Sequence, residues 1–181
     1  MTIQRAPVIA LAVTLAGSLA CSAPGTTTDE VAPGAAGETV GPDIDERSYQ
    51  LGVISAFSEV VRAGVKRLAL SAPLEPGDMD ALLEDAAVIA AQHDVKTYVE
   101  RDLLVTDLFP ASTAEGRHVL LMYRDAVLDE YRALEARKAA LVAAGEYAGD
   151  ARRQLAIDFG RLLSYPDERI QELLAGNTEL E

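Results

Sequence analysis

Between Ser48 and Leu70 the apolar residues Ile54, Phe57, Val61, Val65 and Leu68 recur at three- and four-residue steps, and Val53 and Val60 widen the stripe. That period places them on one side of a helix, so the chain predicts a long first helix over 48–70. Gly52, Ala56 and Gly64 would let a neighbouring backbone come close. Phe57 and Val61 are therefore expected in the core, with this helix at the centre of the packing. The stretch SAPLEPG at 71–77 ends the helix, because two prolines and a glycine do not fit inside one. Asp78 is then the expected N-cap of a second helix, on which Met79, Leu82, Leu83, Ala86, Ile89 and Ala90 share a face.

At Asp94 the period drops to two. Val95, Thr97 and Val99 alternate with Lys96, Tyr98 and Glu100, the pattern of a strand buried on one face. The continuous apolar run HVLLMY at 118–123 suits a more central strand. Between them, residues 101–109 fit either a strand or a short helix, and 110–116 read as a loop. A long helix follows from about Asp125 to Ala144, with Val127, Leu128, Tyr131, Leu134 and Leu141 on its buried side and Gly145 as its stop. Asp150 is expected to cap a fourth helix carrying Leu155, Phe159, Leu162 and Leu163. A fifth opens at Ser164–Glu168, where Pro166 fits a first turn and Asp167 and Glu168 favour the positive end of the helix dipole. Ile170, Leu173 and Leu174 complete that helix, and Gly176-Asn177 end it. The element order predicts an α+β domain, mainly helical, of about five helices with a small two- or three-stranded sheet, over residues 46–181. No internal repeat on the scale of roughly 20–50 residues is visible.

The first 45 residues follow other rules. Arg5 supplies a short positive region, Val8 to Leu15 are apolar except for Thr14, and Gly17-Ser18-Leu19-Ala20 leads into Cys21, the only cysteine of the chain. Residues 1–20 have the length, charge and small residue before the cut of a secretory leader. With Cys21 they resemble the lipobox of bacterial lipoproteins, although Ser18 stands where leucine is commoner. The resemblance implies a lipidated Cys21 as the new N-terminus, and a cell or outer membrane location with the domain facing the periplasm or the exterior. A transmembrane anchor fits less well, because the apolar run is short for about 30 Å of hydrocarbon. From Ser22 to Asp45 the chain is mainly Gly, Pro, Ala, Thr and acid, without an aromatic or basic residue. Such a stretch buries too little apolar surface to offset its ordering entropy, and 21–45 read as a lipidated cysteine and a disordered tether.

Charge narrows the partners. Removing residues 1–20 takes away Arg5 and no acid, leaving 15 basic against 29 acidic side chains, a formal charge of −14. Nucleic acid is excluded as a partner, since its binding rests on Lys and Arg at the phosphates. A polybasic grip on anionic lipid is excluded in the same way, so the membrane is reached through the lipid anchor alone.

Candidate chemistry is thin. There is no G-x-S-x-G turn and no cysteine nucleophile, and the two histidines, His93 and His118, read as a helix-end residue and a strand-opening residue. Asp78, Asp80, Glu84 and Asp85 lie within two helical turns but lack the order of a calcium loop, so no metal site and no cofactor is expected. Tyr98, Tyr123, Tyr131 and Tyr165 fit half-buried core better than a ligand groove, and Arg152, Arg153 and Arg161 fit ion pairs better than an anion site. No catalytic residue is selected. Residues 123–124 (Tyr-Arg), 126–128 (Ala-Val-Leu) and 159–166 (FGRLLSYP) are similar to elements of an uncharacterised family of small bacterial proteins, with Ser164 in place of its glycine. That similarity bears on fold only. The expectation is a membrane-anchored envelope lipoprotein with a non-enzymatic binding domain for an envelope protein or a small ligand. An envelope hydrolase with a carboxylate-based site is the alternative.

Overall fold

The computed structural model of the protein describes residues 45–179. The leader, Cys21 and the tether as far as Ile44 lie outside the described residues. The element order is α1 (Glu46–Arg62), β1 (Leu68–Leu70), α2 (Pro76–Gln92), β2 (Lys96–Glu100), β3 (Val119–Tyr123), α3 (Val127–Ala144), α4 (Gly149–Leu162) and α5 (Asp167–Gly176). The fold is mainly helical α+β, with a three-stranded antiparallel sheet in the order β1-β3-β2.

Strand β3 is apolar throughout because it lies in the middle of the sheet with both faces covered. Leu120 and Met122 pack with Ile54, Val61, Met79 and Ala90 of α1 and α2. Val119, Leu121 and Tyr123 point the other way, into a second cluster with Tyr131, Phe159 and Ile170 from α3, α4 and α5. Successive side chains of a strand alternate faces, so a strand between two helical layers needs apolar residues at every position. All five are buried.

The first helix is shorter than its stripe. It ends at Arg62, and Leu68–Leu70 form β1 instead, paired with Tyr123, Met122 and Leu121. The stop is Gly64, at φ 74°, whose N–H bonds to the Val61 carbonyl while Val65 N–H bonds to that of Val60. This double bond pattern closes a helix through a left-handed residue, which glycine adopts without cost. Gly64 thus acts through its backbone, and a Cβ there would meet nothing within 4 Å. Val65, placed on the apolar stripe by its spacing, is 69% exposed. The buried positions of α1 are Gln50, Ile54, Ser58 and Val61, while Phe57 is half-buried at the edge of the α1–α2 cluster.

Other boundaries move by a few residues. Glu75 caps α2 with Pro76 in the first turn, so Asp78 falls inside the helix, and α4 begins at Gly149 rather than at a cap by Asp150. The side of strand β2 expected to meet solvent is partly covered, Lys96 remaining exposed. The guanidinium of Arg132 lies 5.0 Å from the centre of the Tyr98 ring, and Glu100 is buried.

The close approach expected at α1 occurs at Gly160 of α4, where an added Cβ would lie 2.7 Å from Ile170 Cγ1 and 2.8 Å from its Cδ1. Ile170 is fully buried, so its side chain would have to shift within the core. Gly160→Ala is expected to lower stability by about 1–3 kcal/mol through overpacking, read as a lower midpoint in urea. Gly52→Ala, in open space on α1, is expected to leave the midpoint unchanged or raise it.

Candidate functional site

Residues 101–109 form neither helix nor strand, and three of the backbone groups bond to side chains from later in the sequence. Leu104 N–H donates to the Tyr131 hydroxyl at 3.0 Å, and Lys138 Nζ donates to the Val105 carbonyl at 2.9 Å. Asn177 Nδ2 donates to the Asp107 carbonyl at 3.1 Å. The Asp107 carboxylate receives Arg152 Nε at 2.8 and 2.9 Å, a pair largely withdrawn from water. Leu104 and Leu108 are buried as anchors in the α3–α5 cluster. The segment is therefore a fixed wall, although it lacks regular structure.

In front of this wall is a cavity of about 130 Å³. Leu70, Pro73 and Val119 lie on one side, with Leu103–Thr106, Phe109 and Ala114 on the other. Two of the hydroxyls that reach it are already engaged. Ser71 Oγ donates to the Ala72 carbonyl at 2.8 Å and accepts from Leu120 N–H at 2.9 Å, and Thr106 Oγ1 accepts from Leu108 N–H at 3.2 Å. Apart from Thr113, the remaining lining is aliphatic and aromatic. A cavity of such lining suits an apolar group of benzene size.

Behind the wall, Asp102–Val105 also border a groove with Glu135, Lys138, Ala139 and Val142 of α3. Glu100 is 7% exposed and accepts Asp102 N–H at 3.0 Å, and the hydroxyl of fully buried Tyr131 lies against the Glu135 carboxyl. Burial, then the nearby charge of Glu100, holds the Glu135 carboxyl above the usual carboxylate range. Burial likewise drives the Tyr131 phenol far upward, so it stays protonated.

The residues singled out from the sequence do not converge. His93 is the C-cap of α2, and His118 precedes β3 with backbone bonds of 2.9 Å in both directions to Leu74. Asp78, Asp80 and Glu84 are exposed, and Asp85 pairs with Arg47. Tyr131 and Tyr123 are buried, and Tyr98 and Tyr165 half-buried, in the cluster around α3–α5. Arg152 meets Asp107, Arg153 meets Gln171, and Arg161 meets Asp167 at 3.0 Å. Among the described residues, no three His, Cys, Asp or Glu converge as a metal site would require. The cavity and its wall were missed by the sequence reading. Their one signal is LLVTDLFPA at 103–111, apolar residues without a period in a connecting segment, which marks a buried loop.

No protein-family model, curated protein or solved structure matches the chain.

Proposed function

We propose that the protein is a lipid-anchored envelope protein whose domain binds a small apolar molecule, or the apolar end of a larger one, in the cavity before the 102–106 wall. The observation that carries the binding half is a mainly apolar lining in which the Ser71 hydroxyl both donates and accepts within the protein and the Thr106 hydroxyl already accepts a backbone N–H. A polar ligand would find few free partners there and would lose hydrogen bonds to water. The leader and Cys21 support the anchoring half. Hydrolysis needs two carboxylates that reach a substrate, and Glu100 is buried with one oxygen held by a backbone N–H, so binding accounts for the geometry better.

Benzene is the test ligand. Methyl resonances of Ala111, Ala114 and Val119 are expected to shift and saturate as benzene vapour pressure rises. Ala114→Phe, which places a ring inside the cavity, should abolish the shifts while the domain stays folded. Shifts spread evenly over the surface methyls, or unchanged in Ala114→Phe, would remove the proposal.

A further inference from the structure

We infer that the outer edge of β2 is a self-association surface, where a second copy of this chain adds its own β2 antiparallel about a two-fold axis at Tyr98. The ladder bonds show which backbone groups are free. Ser71 N–H donates to the Leu120 carbonyl at 2.9 Å, and Leu120 N–H donates to the Ser71 hydroxyl at 2.9 Å, so the backbone groups of Leu120 face β1. Such groups alternate sides along an antiparallel strand. Val119, Leu121 and Tyr123 therefore face β2, where they meet Glu100, Tyr98 and Lys96. Thr97 and Val99 are left pointing away from the sheet. Among the described residues their N–H and C=O groups meet no other strand or loop, whereas Val95, next on that side, gives its N–H to the Ala90 carbonyl at 3.0 Å.

Burial marks the same edge as open. Thr97, Tyr98 and Val99 are only half-buried and Lys96 is exposed, while on the opposite edge Leu68 and Ala69 of β1 are buried. A row of unmade backbone bonds is a template for another strand.

The side chains select a second copy as that strand. With Tyr98 facing Tyr98 of the second copy, Thr97 faces Val99 on either side of the axis. Every outward N–H and C=O of these two residues then has a partner. In the same register Lys96 faces Glu100 of the second copy, twice over by symmetry, and opposite charges at facing positions favour pairing. Other registers lose this match. A one-residue slide sets outward groups against inward ones. A two-residue slide brings Glu100 opposite either Asp94, a like charge, or Tyr98. An unrelated strand would need a base and an acid at the same spacing, which this strand supplies for itself. The edge shares no residue with the cavity lining, so the two sites stand or fall separately.

A strand-edge contact is smaller than a standard interface, so association is expected in the micromolar to millimolar range. Sedimentation equilibrium of the full chain in density-matched detergent should show the mass rising from one copy to two with concentration. Over the same range the Thr97 and Val99 amides should gain about tenfold or more protection against hydrogen exchange, while those of Lys96 and Tyr98, bonded to β3, are protected throughout. Thr97→Pro removes an outward N–H and no ladder bond, so it should fold and remain a single copy. Lys96→Glu, at an exposed position, should weaken association roughly tenfold, because both facing pairs become like-charged. A chain that stays single throughout would overturn the inference, as would a two-copy species whose Thr97 and Val99 amides exchange as fast as in the single copy. Both amides protected in the single copy would also overturn it, since the edge is then covered from within the chain. So would a folded Thr97→Pro or Lys96→Glu that associates like the parent.

Discussion

Phe159→Ala is expected to cost about 3–5 kcal/mol, a large share of the roughly 5–15 kcal/mol that holds a domain folded. Phe159 is fully buried on α4. Its ring stands edge-on to Phe109 with centroids 6.4 Å apart, and Tyr131 lies 6.0 Å away. Removing it would take support from the 101–109 wall and from α3 together, and the cavity left behind is walled by rings that cannot collapse into it. Phe57→Ala, at the half-buried edge of the other cluster, is expected to cost only about 1–2 kcal/mol. Urea denaturation of the two variants decides between them. A Phe57 variant as damaged as the Phe159 variant would show that α1 is more central than its burial indicates.

The second large effect is covalent. In the native chain, mass spectrometry of the mature N-terminus should find Cys21 at the first position carrying acyl chains. Cys21→Ala is expected to abolish that mass and leave the leader uncut. Diacylglycerol with an amide-linked chain holds a protein firmly, since stable anchoring takes two or more chains. An unmodified Cys21 thiol, or a cut at another residue, would end the lipoprotein proposal.

How far the sequence could be read depended on whether a signal was local. Gly145 stops α3, and Pro166 with Asp167 and Glu168 opens α5, because caps act through the adjacent backbone. The run at 119–123 announced a strand covered on both faces. Strand β1 was not legible, because Leu-Ala-Leu is too short to carry a period and continued the rhythm of the preceding helix by coincidence of spacing. Gly64 was legible as small, but its left-handed turn was the property that mattered. Glu100 looked solvent-facing because a strand's own alternation says nothing of a helix arriving from residues 127–144 to cover that face. The cavity was hidden for the same reason. Its wall is held by Tyr131, Lys138, Arg152 and Asn177, which lie 27 to 70 residues further along the chain. No pattern within a short window encodes such bonds.

The placement of β3 also governs when the chain can fold. Among the described residues it is the last strand in sequence and the middle one in space, and β1 and β2 have no partner but β3. A chain emerging as far as Gly116 carries two strands with nothing to pair with, and both apolar clusters still lack their shared floor of residues 119–123. Pairing Leu68 with Tyr123 closes a long loop, the kind of contact that forms slowly. Commitment to the native state therefore waits until most of the chain is available. Until then the leading two thirds of the chain stays extensible, and folding is reserved for a nearly finished polypeptide.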